Sequence, residues 1–160
     1  MKKNKEFYTF RGYQMMKQNK KLLTASMEDY LEMIYRTCLK EGYERTNHLA
    51  RKLNVQASSA SKIVQKLAEL GLINYEKYGI IQLTEKGKSI GEFLLKRHKT
   101  IETFLNKIGV KEMAFKDTEM IEHHISPETY ESIELLNKFL DQNPQIIEKF
   151  HDFKKKTVKK

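Results

Sequence analysis

Between Thr46 and Leu83 two helical stretches follow each other so closely that few folds can hold them. Thr46 is read as the cap of a short helix with Leu49, Ala50 and Leu53 on its apolar side, and Asn54-Val55 leaves room only for a sharp turn. A second helix, roughly Ala57 to Leu70, carries Ala60, Ile63, Val64, Leu67 and Leu70 at helical spacing and closes at Gly71. Ile73 to Lys77 and Ile80 to Leu83 then read as two short strands turning near Tyr78-Gly79. A helix-turn-helix followed by a β-ribbon predicts a winged helix. A generic helical core carrying a hairpin is the alternative.

The outer side of the second helix is small and polar where it begins. Gln56, Ser58, Ser59, Ser61 and Lys62 come first, then Gln65 and Lys66, with Lys77 at the tip of the ribbon. Small hydroxyl side chains let a helix backbone enter a major groove closely, and Ser and Lys reach phosphates or base edges. Charge agrees with this. The net charge is +9, but residues 1–22 carry +6 and residues 154–160 carry +5, so the body between them is near −2. Within that body, residues 43–90 hold eight basic and four acidic side chains, whereas 111–148 hold three and nine. One half suits a polyanion and the other suits cations.

The flanks complete the outline. Ser26 is read as the cap of a first helix running to about Lys40, with Asp29 three residues on and Gly42 as its stop. The single Cys38 lies among its apolar residues, as a buried thiol would, and cannot pair within the chain. Thr84 caps a long helix to about Ile108, with Ile90, Phe93, Leu94, Ile101, Phe104, Leu105 and Ile108 inward. Ser126-Pro127 starts another helix with Tyr130, Ile133, Leu136, Phe139 and Leu140 inward, and Asn143-Pro144 breaks it before a short last helix, Ile146 to Phe153. The expected division is a basic extension (1–23) and a winged-helix DNA-binding domain (24–88). A helical metal-binding and dimerisation domain (89–153) and a Lys-rich tail (154–160) follow. The fold class is mainly α. No apolar run is long enough to span a membrane and the basic start precedes no apolar stretch, so the expected location is the cytoplasm. The arm at 1–22, with Phe7, Tyr8, Phe10 and Tyr13, is either a solvated tail or a further DNA contact.

The chemistry sits in Asp117-Thr118-Glu119-Met120-Ile121-Glu122-His123-His124. With Asp117 read as a helix cap, Glu119, Glu122 and His123 project from one face of a single turn. Such a segment needs ligands from elsewhere to close a metal site, and Asp29, Glu32 and His98 are available. Taken alone, Asp29 and Glu32 are acids favoured by a helix N-terminus, and His98 is a core histidine. Together the six form a carboxylate-rich, thiolate-free set that suits Mn²⁺ or Fe²⁺ at higher coordination number, as one ion or two bridged ones. His124 points about 100° away from His123. No His-Glu-x-x-His, P-loop, dinucleotide fingerprint or nucleophile elbow is present, which argues against an enzyme.

Six dispersed motifs, in order, carry a resemblance. They are Ser26-Met27-Glu28-Asp29-Tyr30-Leu31-Glu32, the Ser58 to Leu67 helix, Tyr75-Glu76-Lys77-Tyr78, Leu83-Thr84 with Lys86-Gly87, Arg97-His98, and Ile121 to Ser126. Over about residues 24–140 the chain resembles the diphtheria toxin repressor family and, within it, the manganese transport regulator branch. The resemblance implies a homodimeric winged-helix repressor of metal-uptake genes that binds palindromic operator DNA when loaded with Mn²⁺ or Fe²⁺. It puts the metal ligands at Asp29, Glu32, His98, Glu119, Glu122 and His123. The iron branch has Met where Asp29 stands and Cys where Glu119 stands, so the harder set here points to Mn(II) first and Fe(II) second. The basic aromatic start departs from the pattern, and a third, SH3-like domain is not expected. A metal-independent or small-ligand-sensing winged-helix factor is the other reading, with the acids merely solvated.

Overall fold

The computed structural model describes residues 23–158, so the expectations for the basic arm and for the last two lysines lie outside it. Seven α-helices and one three-stranded sheet occur among those residues. No helix among them is long and apolar enough to cross a membrane. The chain divides into two compact units, one up to Leu95 and one from Lys96.

In the first unit, α1 (Ala25–Glu41) starts earlier than the Ser26 cap predicts. Thr24 is the cap: its Oγ1 accepts from the Met27 amide at 3.3 Å. Two hydroxyl residues flank Ala25, and the one whose neighbour Leu23 is buried wins. Glu44–Arg45 forms β1, too short to show any alternation in sequence. Thr46 begins α2 (Thr46–Lys52) as its first residue and not as its cap. Its hydroxyl faces the ribbon instead, 3.3 Å from the Gly79 carbonyl and 3.4 Å from the Tyr75 hydroxyl. Asn54, at φ +52°, turns the chain into α3 (Ala57–Glu69).

Strands β2 (Ile73–Tyr75) and β3 (Ile80–Leu83) pair antiparallel with Tyr75 opposite Ile81, and β1 covers the other edge of β3, giving the order β1-β3-β2. Leu31, Ile34, Leu49, Ala60, Val64, Leu67, Leu72 and Ile81 are fully buried and form the core beneath the ribbon. This is a winged helix. The long helix α4 (Glu85–Lys107) opens as expected at Thr84, whose Oγ1 accepts from the Gly87 amide at 3.0 Å. A Cβ on Gly87 would lie 1.8 Å from the Leu72 carbonyl oxygen, so only glycine lets α4 start this close to the strand. Cys38 is half-buried, and burial pushes its thiol up to about 11, which keeps it protonated and inert at neutral pH.

The second unit is all helical. Arg97, His98, Ile101 and Leu105 of α4 are buried there, with Ala114, Thr118 and Glu122 of α5 (Ala114–Glu122). Met113 precedes α5, so Asp117 lies in its first turn and does not cap it. Ser126 and Pro127 open α6 (Pro127–Gln142) as expected, Ser126 accepting from the Thr129 amide at 3.2 Å. Helix α7 (Pro144–Val158) runs beyond Phe153 into the lysines. Lys154 Nζ donates to the Ile108 and Gly109 carbonyls at 3.0 and 3.1 Å, satisfying the C-terminal end of α4 with a cation. One expectation fails clearly. Leu136 and Phe139, read as inward, are 41% and 47% exposed, while Tyr130 and Asn137 are the buried positions of α6. Apolar residues cover two faces of α6, and periodicity alone does not say which face meets the unit's core.

Candidate functional site

Helix α5 and the second half of α4 bring three of the predicted ligands together. His98 and Glu122 are each 1% exposed. His98 Nδ1 lies 3.1 Å from Glu122 Oε2 and 3.5 Å from Glu119 Oε1, so one imidazole nitrogen faces two carboxylates. Its Nε2 lies 4.0 Å from Oε2 of Glu102, an acid the sequence reading did not single out. The signal was there: Glu102 stands four residues after His98 on the same helix. Phe115 tilts against the His98 ring at 5.6 Å.

His123 ends α5 with helical backbone angles (φ −81°, ψ −17°), which keeps it in phase with Glu119 and Glu122. Its Nε2 is 3.9 Å from Glu122 Oε1, and its Nδ1 is 3.5 Å from Arg97 Nη2. His124 is exposed. The other two predicted ligands lie in the first unit. Asp29 is half-buried and Glu32 buried, one turn apart on α1. Glu32 Oε1 accepts from Arg36 Nε at 2.9 Å and from Arg36 Nη2 as well. Glu28, 1% exposed, is a further buried acid that the sequence reading passed over.

These residues fit a divalent cation. Glu122 Oε1 is buried and has no hydrogen-bond donor among the described residues. A carboxylate oxygen in that position is costly to desolvate unless a cation or donor meets it. Two carboxylates and an imidazole without sulfur form a hard donor set, suited to Mn²⁺ or Fe²⁺ and unlike a closed structural zinc site.

The first unit presents the polar face read from sequence. Gln56, Ser58, Ser59, Lys62, Gln65, Lys66 and Lys77 are exposed. Ser61 is half-buried and donates to the Ala57 carbonyl at 2.9 Å, so its hydroxyl proton is already used within α3. Gln56 precedes α3 without a side-chain capping bond, which leaves the first amides of the helix uncapped by it. Arg45 and Arg51 are exposed cations of the same unit that the sequence reading left out.

Comparison with known proteins agrees with both units. Residues 22–81 match the family described as iron dependent repressor, N-terminal DNA binding domain, and residues 84–151 match iron dependent repressor, metal binding and dimerisation domain. The chain is 42% identical over 127 residues to the HTH-type transcriptional regulator MntR of Lysinibacillus sphaericus, covering 79% of this chain and 91% of that one. It is 45% identical over 125 residues to the HTH-type transcriptional regulator MntR of Oceanobacillus iheyensis, covering 77% and 85%. A solved manganese-dependent transcriptional repressor in complex with manganese aligns with a TM-score of 0.62 at 30% identity. That match covers 71% of this chain and 53% of the other, so this chain spans about half the length of that structure.

Proposed function

The chain belongs to the iron-dependent repressor family, a family of DNA-binding regulators and not of enzymes, and on that premise we propose that it is a Mn(II)-activated repressor. In this reading it binds palindromic operator DNA as a homodimer in the cytoplasm and controls metal-uptake genes, with Fe(II) as the second-best activator. The observation that carries it is the buried Glu122 carboxylate, 3.1 Å from His98 with its other oxygen lacking a hydrogen-bond donor among the described residues. The retained Asp29 and Glu119, which keep the donor set free of sulfur, favour manganese over a softer metal. Two MntR relatives and a manganese-bound repressor among the similar structures support the same choice.

The proposed ligands are Asp29, Glu32, His98, Glu119, Glu122 and His123, around one ion or two. A divalent cation bound there would supply the positive charge that offsets four carboxylates. In this reading the metal-free ligands would carry uncompensated negative charge, which disfavours the arrangement that binds DNA. Asp29 and Glu32 on α1, with His98, Glu119, Glu122 and His123, would hold that cation, and in this reading the recognition helices of a dimer would then be held one DNA turn apart. The affinity gain comes from lost freedom between units and needs no refolding. Gln56, Ser58, Ser59, Ser61, Lys62, Gln65 and Lys66 would face the groove, with Lys77 on the flanking phosphates.

Fluorescence anisotropy tests this. Protein stripped with chelator is titrated into a labelled duplex carrying the inverted repeat upstream of a metal-transporter gene, at fixed salt, and again with Mn²⁺, anaerobic Fe²⁺ and Zn²⁺. Fixed salt matters because the basic ends bind any DNA weakly. Binding that appears with Mn²⁺ and disappears with chelator is the expected result. Tight specific binding that ignores metal would leave a winged-helix factor of the metal-independent kind.

A further inference from the structure

Tyr78 stands at the tip of the β2–β3 ribbon with its backbone in the left-handed region, at φ +65° and ψ +20°. It is 90% exposed, more than any other large apolar or aromatic residue among those described. These two facts oppose ordinary sequence economy. Left-handed backbone is cheap for Gly, Asn or Asp and unfavourable for a bulky aromatic. A folded chain tolerates that where the side chain packs, yet this ring is left almost wholly to solvent. Gly79, beside it, also has positive φ (+72°), so the tip needs two such residues and uses glycine for only one.

The tip is also held in place. Thr46, 5% exposed at the start of α2, bridges the Gly79 carbonyl and the Tyr75 hydroxyl. The Glu76 amide donates to the Ile80 carbonyl at 2.9 Å across the loop. A Cβ on Gly79 would come 3.3 Å from Thr46 Oγ1, which shows how closely the loop rests on α2. The exposed ring is therefore carried at a fixed distance from the helix-turn-helix, next to the exposed cation Lys77. A strained, solvent-facing aromatic on a rigid mount beside a lysine fits a surface that is both apolar and anionic. The sugar–phosphate backbone of duplex DNA is such a surface.

We propose that Tyr78 is a DNA-contacting residue, its ring lying on a deoxyribose and its hydroxyl donating to a phosphate oxygen beside the groove entered by α3. The inference rests on the DNA-binding reading above, and it adds a contact that fixes register and affinity without reading base sequence. Lys77 supplies the charge at the same place.

The test compares wild type, Tyr78→Gly, Tyr78→Phe and Lys77→Ala, each loaded with Mn²⁺. Two probes are used: a duplex selected from a randomised pool by the wild type, and mixed-sequence duplex. Tyr78→Gly should weaken binding to both by roughly fivefold, about 1 kcal/mol on the affinity scale, with the salt dependence unchanged. Its melting temperature should stay level or rise, since glycine relieves the left-handed backbone. Tyr78→Phe should fall between the two. Lys77→Ala should instead reduce the salt slope by about 1. Tyr78→Gly binding both duplexes like wild type, or losing binding together with thermal stability, would overturn the proposal. A wild type that selects no Mn²⁺-dependent duplex would count against the repressor reading, and the mixed-sequence arm would still decide the role of Tyr78.

Discussion

Arg36 donates from both Nε and Nη2 to one oxygen of Glu32, a carboxylate one turn earlier on the same helix. The Arg36 side chain is 37% exposed and that of Glu32 only 9%. A proposed metal ligand is thus already held by a cation of the chain, and a metal must compete for it. Exposed ion pairs are worth less than about 1 kcal/mol, and the burial of Glu32 puts this one at the upper end of that range. Arg36→Met should therefore raise Mn²⁺ affinity several-fold, up to about tenfold, and lower the stability of the metal-free protein by about 1 kcal/mol. Calorimetric titration of chelator-stripped protein and a thermal melt measure the two. Unchanged affinity would remove Glu32 from the ligand set or show that Arg36 leaves it without cost.

Asp29 bears on which metal is chosen. It is a half-buried position on α1, so Asp29→Met should leave the fold intact while replacing a hard oxygen donor by a thioether. Activation of DNA binding by Fe²⁺ should then rise relative to Mn²⁺. A variant that still favours Mn²⁺ as strongly as the wild type in anisotropy would show that selectivity comes from elsewhere.

Glu44 predicts how the first unit responds to acid. Burial of this carboxyl raises its pKa, but hydrogen bonds from the Arg45 amide, Thr37, His48 and Lys52 outweigh burial and hold it below the ordinary value. His48 Nδ1 lies 2.8 Å and Lys52 Nζ 3.2 Å from it. A folded-state pKa below the unfolded one gives stability that is fully present above the ordinary carboxylate pKa and lost as pH falls through the folded value. Glu44→Gln should cost about 2 kcal/mol at neutral pH and flatten the loss of stability on acidification. Urea melts across the acidic range would show it, and an unchanged acid slope in the variant would assign that slope to other carboxylates.

Exposed apolar side chains on α6 and α7 predict where the dimer forms. Leu135 is 69% and Phe139 47% exposed, and Phe150 and Phe153 of α7 are 42% and 66% exposed. Side chains this apolar in one unit suit the self-complementary patch of a two-fold dimer. Phe139→Asp combined with Phe153→Asp should convert the protein to monomer in sedimentation and abolish tight operator binding, because two half-sites are no longer engaged together. A double variant that remains dimeric would move the interface to another face.

The winged helix was readable because local signals repeat each other there. The break at Asn54-Val55, the stop at Gly71 and the pair Tyr78-Gly79 each restrict the backbone directly, and α2, α3 and the ribbon follow from them. Caps were less legible. Thr24 and Ser26 offer the same chemistry two residues apart, and the choice belongs to the burial of Leu23 and Met27. Asp117 looked like a cap because aspartate usually is one, whereas α5 starts at Ala114, where Met113 offers no side-chain bond.

The candidate site divides the same way. Spacing alone put Glu119, Glu122 and His123 on one turn, since a helix repeats every three to four residues whatever surrounds it. Nothing local says that His98, many residues earlier on another helix, meets Glu122 at 3.1 Å, or that Glu102 lies beside it. Local residue patterns set the elements, their order, the residue types able to hold a hard cation and the polar start of α3. Tertiary structure decided which apolar face of α6 is buried, that Arg36 holds Glu32, and that Thr46 braces the wing tip. Helix and strand periods are properties of neighbouring residues, whereas burial and pairing depend on side chains that only packing brings together.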